Sequence, residues 1–340
     1  MSTPTSLRLG LALLLACGCA SSSATRGNPP ESKPDAWSSP LHRDHPLVGR
    51  VWDTRQGRWV EEPALVAELS RARFVLLGEQ HDNPDHHRLQ AELVRALTDS
   101  GRKPVLAFEM LDVEQQPVID EALTRSPREP DALAQAVAWE KSGWPDWALY
   151  RPIFAVGTER GLRIIGANLP LAQVKELVTR GPEALSPETR NRLGLETPLP
   201  EDIARAMRAE MHESHCGHLP ESMLDPMVLA QRARDAQMAD RLLTTATADG
   251  ALLITGNGHA RTDRGVPAQL VRRAPEHPVR SLAFIEVSPE AREPRDYAPS
   301  DSPGQLPYDY VWFTPAAERE DPCAMFRKPQ APAPEKSPGK

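Results

Sequence analysis

Two Gly-x-x-His turns carry most of the chemistry this chain can offer: Gly78-Glu79-Gln80-His81 and Gly256-Asn257-Gly258-His259. The first follows the apolar run Phe74-Val-Leu-Leu, and the second follows Ala251-Leu-Leu-Ile-Thr. Strands that end this way in an α/β sheet deliver side chains to the crevice beyond their carboxyl ends, where ligands bind. A third run, Val105-Leu-Ala-Phe, ends in Glu109, and a buried carboxylate there needs a partner. Glu79, His81, Glu109 and His259 are therefore the candidate catalytic set. Two carboxylates at one site repel unless a cation or proton lies between them. One expectation is a divalent metal held by Glu79, His81 and His259, with both imidazoles neutral. The other is acid–base chemistry, with Glu79 or Glu109 activating water.

Three further clusters compete for a role. Met211-His212-Glu-Ser-His215-Cys216-Gly-His218 has metal-binding residue types but matches no closed zinc module, so His215 reaching the main site is its most plausible contribution. The stretch from Trp144 to Phe154 concentrates aromatic residues that suit either a flat ligand or helix-on-sheet packing. Arg261 and Arg264, just past the second turn, could neutralise ligand carboxylates or lie solvated at a helix start. The glycines at 256 and 258 lack the lysine and spacing of a phosphate loop, which argues against a nucleotide.

To position these residues the chain must alternate strands and helices. Strands are predicted at 73–78, 104–109, 163–167, 251–255, 281–287 and 309–313. Helices are predicted near 84–99, 112–125, 130–141, 148–160, 170–179, 200–212, 226–248 and 265–273. The alternation implies an α/β fold, a mainly parallel sheet flanked by helices. No strand is predicted between about 170 and 250, so that span reads as a helical insertion that could cover the strand ends.

The chain has 340 residues and a net charge of −7 with both signs interspersed, which excludes a basic nucleic-acid surface. The apolar run Leu9–Ala16 is too short to span a bilayer but suits a signal-peptide core. Leu14-Leu15-Ala16-Cys17 looks like a lipobox, with Cys19 the alternative lipid site. The expected organisation is a lipoprotein signal at 1–18, a flexible tether at 19–44, one domain at 45–326 and a disordered Pro-rich tail at 327–340. That places the protein in the cell envelope, lipid-anchored at Cys17, at the outer membrane. Cys216 and Cys323 are the cysteines left in the domain, and outside the cytosol they are expected to pair, two buried thiols being the alternative.

In this order, the pieces resemble the ChaN-like haem-binding lipoprotein family, within the superfamily of Tiki/TraB proteins and erythromycin esterases. The resemblance rests on the lipobox, Leu77-Gly-Glu-Gln-His-Asp-Asn83, Phe108-Glu109-Met110, Trp144-Pro-Asp-Trp-Ala-Leu-Tyr150, His215-Cys-Gly217, Ala230-Gln-Arg-Ala-Arg-Asp235 and Gly256-Asn-Gly-His259. It implies an α/β fold and an envelope protein that binds haem or iron for acquisition. Tyrosine is the ligand the family implies for haem, and Tyr150, Tyr297, Tyr308 and Tyr310 are the candidates. The cofactor contacts expected are His81, Tyr150, His215 and His259. Enzymatic relatives imply a hydrolase site at Glu79, His81, Glu109 and His259. Expected partners are haem or a metal and the membrane, with a homodimer left open and nucleic acid excluded.

Overall fold

The computed structural model describes residues 37–321 and 323–324. The signal peptide, both lipidation candidates and the Pro-rich tail lie outside the described residues. The expected α/β architecture is present. Eight strands form one sheet: β1 (Val51–Asp53), β2 (Arg58–Val60), β3 (Phe74–Glu79), β4 (Val105–Asp112), β5 (Ile164–Asn168), β6 (Ala251–Gly256), β7 (Val279–Glu286) and β8 (Tyr310–Thr314). Their order is β2-β1-β8-β7-β3-β6-β4-β5. From β8 to β5 the neighbours run parallel, and only β1 pairs antiparallel, with β2 and β8.

Alternation along the strands builds two cores. Val75 and Leu77 of β3 face one side with Phe108, Ile254 and Phe284, packed against α2 (Pro84–Thr98) and α5 (Trp147–Glu159). Phe74 and Leu76 face the other side with Ala107 and Leu253, beneath α9 (Glu221–Thr245) and α11 (Val266–Arg273). Every residue of β3 and β6 is buried, as continuous apolar runs in a covered parallel sheet require. β3 and β6 pair in register from Phe74 with Ala251 to Glu79 with Gly256, so both Gly-x-x-His turns leave the sheet side by side.

Between β5 and β6 the chain is helical, as expected: α6 (Leu171–Arg180), α7 (Pro187–Arg192), α8 (Glu201–Ser214) and α9. This insertion has its own small core of Leu169, Leu177, Leu185, Leu193, Ala233 and Ala236. Two helices are shorter than predicted. The one expected at 112–125 begins at Gln116, because Asp112 caps a short 3-10 turn instead. The one expected at 130–141 ends at Ala136, and Ala138 then takes a left-handed φ of 53°.

The tether expected to reach residue 44 is corrected at its end. Trp37 and Ser39 are buried, the Ser38 and Ser39 amides donate to Asp85, and Leu41 bridges to Ala316. The segment after β8 is held as a strap. Pro315 accepts from Asn83, the Ala317 amide donates to Glu286, and Arg319 pairs with both Asp82 and Glu286. Past it, Cys323 is disulfide-bonded to Cys216 in the turn between α8 and α9, with Cα atoms 5.6 Å apart. The strap thus joins the turn after β3 to the tip of the insertion.

Candidate functional site

The two turns build two different clusters at the carboxyl edge of the sheet. After β3, Asn83 caps α2 by accepting from the Asp85 and His86 amides. His86 accepts from the Gln80 amide at Nδ1 (2.9 Å) and donates from Nε2 to Thr314 (2.8 Å). Burial holds its pKa at about 3, so it is a neutral brace for the turn. Glu79 lies inside this frame. Its Oε1 accepts from the Tyr150 hydroxyl at 2.8 Å and faces His81 Nδ1 at 2.9 Å. Its Oε2 is 3.0 Å from His87 Nδ1, and His87 Nε2 donates to the His81 carbonyl. Burial raises the Glu79 pKa, but His87 and His81 outweigh it and hold the carboxylate at about 2. Burial depresses both imidazoles, yet the bond to Glu79 and the charges of Glu109 and Glu79 raise His81, and Glu79 raises His87.

After β6, Glu109 sits at the centre. Its Oε2 accepts from the Thr255 hydroxyl and the Gly256 amide, each at 2.7 Å. Its Oε1 accepts from Arg234 at 2.6 Å and lies 3.3 Å from His259 Nε2. His259 Nδ1 is 2.6 Å from Asp235. Burial and Arg234 disfavour a charged His259, but Glu109 and Asp235 raise its pKa to about 9. Burial raises Glu109 too, and His259 and Arg234 reverse that to well below the usual carboxylate range. Burial raises Asp235, and the charge and hydrogen bond of His259 oppose that rise without reversing it.

A glycine lets the clusters meet. A Cβ on Gly256 would stand 2.8 Å from His81 Nε2 and 3.6 Å from Glu109 Oε2. Only a bare backbone lets the His81 ring lie over the end of β6. Among the described residues, His81 Nε2 makes no hydrogen bond.

Next to Glu109 and Trp144 opens a cleft of about 570 Å³, whose lining does not include His81. Glu109, Asn168 and Arg234 are at its floor, with Met110, Trp144, Leu169, Leu171 and Val174 as apolar surface and Lys141 at its rim. Trp144 meets the His81 ring edge-on at 5.0 Å between centroids. A second hollow of about 610 Å³, near Trp52, Arg55 and Arg295, contains none of the strand-end groups.

Several expectations need correction. The metal set fails: among the described residues no three His, Cys, Asp or Glu side chains are placed to hold an ion. The cause is prior engagement, since Glu79 is taken by Tyr150 and His81, and His259 lies between Asp235 and Glu109. The charge beside Glu109 is supplied by His259 and Arg234, so His259 is not the neutral imidazole expected. Tyr150 is fully buried and bonded to Glu79, which also raises its pKa after burial has done so. Tyr297 and Tyr308 use their hydroxyls on backbone groups, and Tyr310 is buried. Tyrosine ligation of haem therefore does not fit this chain. His215 bonds the Met211 carbonyl at the insertion tip and does not line the cleft. Arg261 and Arg264 face Asp263, Asp301 and Glu210 instead of a ligand. The aromatic stretch is mostly packing, with Trp139, Trp147, Tyr150 and Phe154 clustered and Trp144 alone of its tryptophans reaching the cleft.

Sequence reasoning gave no role to Gln231, Arg234 and Asp235, or to His87. The first three share one face of α9 by their i, i+3, i+4 spacing, which was a readable signal.

A sheet whose strand ends carry these groups, roofed by a helical insertion, is the setting in which the comparisons fall. The family model for haem-binding uptake proteins of the Tiki superfamily, ChaN, matches residues 65–270, more than half of the chain, and the chain belongs to that family. The ChaN structure of Campylobacter jejuni, described as binding haem cofacially, superposes with a TM-score of 0.62 at 22% identity. That match covers 77% of this chain and 95% of that one. An erythromycin esterase in its open conformation reaches a TM-score of 0.42 at 15% identity, over 76% of this chain and 94% of that one. Among curated proteins, RETICULATA-RELATED 5 of Arabidopsis thaliana is 23% identical over 84% of this chain, which spans 40% of that relative's length.

Proposed function

We propose that this protein binds haem in the cleft beside His81, as a lipid-anchored envelope protein serving haem or iron acquisition. One observation carries the reading: a cleft of about 570 Å³ is lined by Trp144, whose ring meets the imidazole of His81 edge-on, and His81 Nδ1 is held by a carboxylate. That volume falls among cofactor pockets, and a carboxylate behind a histidine is the usual support of a metal-binding imidazole. Met110, Trp144 and Leu171 suit the porphyrin faces, and His81 is the side chain that would meet the iron. Bound iron would supply the coordination and redox chemistry, and the chain's own residues would orient and shield the ring. Haemin titrated into the purified domain should shift its Soret band to saturation, and His81→Ala should weaken binding at least about tenfold. No Soret change with the wild-type protein overturns the reading. For the anchor, mass spectrometry of the mature N-terminus should show a lipidated Cys17.

A second reading, acid–base hydrolysis, is favoured by the His81–Glu79 pair standing beside Arg234 and the charged His259. Turnover of an ester or peptide library, lost in His81→Ala, supports it. A library that stays intact removes it.

A further inference from the structure

Lys141 is an exposed cation at the rim of the cleft, and among the described residues its ammonium makes no hydrogen bond or ion pair. The other charges that line the cleft are engaged. Glu109 is clasped by Arg234 and His259, and Asp112 accepts from the Glu114 and Gln115 amides. Arg234 directs Nη2 to Glu109 and Nε to Asn168. Lys141 is fixed in place by the turn that carries it. Ala138 adopts a left-handed φ, Trp139 is buried with its indole donating to the Pro145 carbonyl, and the Lys141 amide donates to the Ala138 carbonyl. Three residues on, the same turn presents Trp144 to the cleft. Leu171 lines the same cleft and is 60% exposed, the barest of the large apolar side chains among the described residues.

The cleft thus joins an apolar wall of Met110, Trp144, Leu169, Leu171 and Val174 to a polar side, with one cation, Lys141, that is not paired among the described residues. A ligand matched to both is a flat apolar body with an acid group on its rim. We infer that Lys141 selects the ligand by its carboxylate. Trp144 and Leu171 take the ring faces, and the acid edge points outward to Lys141. This rests on the haem reading above and adds to it a direction of insertion and a requirement for a free acid. Lysine acts here as a point charge on a flexible stem, so arginine should substitute for it and glutamine should not.

The test compares haemin with its dimethyl ester, whose ring and iron are the same but whose acids are blocked, both kept monomeric in dilute detergent. Dissociation constants come from Soret titration at low and at raised salt. Metal-free protoporphyrin, followed by its quenching of tryptophan fluorescence, removes any contribution from iron ligation. Wild-type protein should prefer the free acid by several-fold to about tenfold at low salt, less at raised salt. Lys141→Gln should abolish the preference while still binding the ester as the wild type does, and Lys141→Arg should restore it. Leu171→Gln, at an exposed position, should weaken acid and ester alike, and a loss confined to one of them counts against Leu171 taking the ring face. Equal binding of acid and ester by the wild type overturns the inference alone, as does an intact preference in Lys141→Gln. Wild-type protein that binds neither porphyrin overturns the haem reading and this inference with it.

Discussion

At the end of β3, His81 keeps 34% of its side-chain surface open, whereas at the end of β6 His259 keeps 5%. Both follow a glycine by three residues at the mouth of a buried strand, and both face a carboxylate. What separates them is the cover. Helix α9 lays Gln231, Arg234 and Asp235 over the second turn, and His259 is enclosed between Asp235 and Glu109. Over the first turn stand Trp144 and the cleft. The same short motif therefore yields a sealed ion cluster in one place and an accessible imidazole in the other. A histidine at a strand end announces a site only when the element roofing it leaves room.

If the sealed cluster is structural and the open one is for binding, their variants should fail differently. Glu109→Ala should do the most damage to the fold. It removes the anion between Arg234 and His259 and leaves the buried Thr255 hydroxyl and Gly256 amide without their acceptor, at a cost of about 3–5 kcal/mol read from urea unfolding. A loss below about 1 kcal/mol would mean that the cluster does not hold the sheet edge together.

Raising the pH should come next. The folded pKa of His259, about 9, lies above its ordinary 6.5, so the folded chain keeps a proton that the unfolded chain has released. This stabilisation is complete below about pH 6.5 and is lost as the pH rises through 9, on the order of 1 kcal/mol per unit in between. Glu79 works with the opposite sign. Its folded pKa of about 2 lies below 4.5, so its contribution is present above 4.5 and disappears as the pH falls through 2. Urea midpoints measured from pH 2 to 10 should fall away at both ends, and a flat alkaline limb would contradict the sealed, charged His259.

Gly256→Ala touches both clusters at once. Its methyl group would collide with the His81 ring, costing roughly 1–3 kcal/mol and displacing the imidazole. Ligand binding should fall as far as it does in His81→Ala. His81→Ala itself should be the mildest for the fold, within about 1 kcal/mol of wild type, since the ring is partly open and Nε2 holds nothing in the chain. Soret titration and urea unfolding of these variants together decide whether binding and stability separate between the two turns.

Much of this frame was legible in the chain. Buried runs such as Phe74–Leu77 and Ala251–Ile254 have only one good use, as covered parallel strands, and Glu79, His81 and His259 do stand at their ends, whereas Glu109 lies inside β4, which runs on to Asp112 instead of ending at 109. The hairpin of β1 and β2 escaped because three-residue strands carry no measurable period. Protonation was the larger miss. Neutral imidazoles and a metal are reasonable for two His and two Glu taken alone. The cation that replaces the metal, Arg234, sits on a helix 125 residues beyond Glu109, and nothing in a turn's own residues reveals what will be packed above it. Tyr150 misled for the same reason, since an aromatic beside a site is as readily a buried brace as a ligand.

The strap bears on the order in which the protein can be finished. Arg319 lies 237 residues beyond Asp82, and Cys323 lies 107 beyond Cys216. A ribosome adding about 5–20 residues per second needs roughly 10–50 s to cover the first distance. For that whole interval the turn bearing His81 exists without the cation that pins Asp82 against Glu286. The earlier-made half of the site thus receives this fastening from residues synthesised long after it, and a nascent chain made as far as residue 260 has every strand-end group but not yet the strap that pins Asp82.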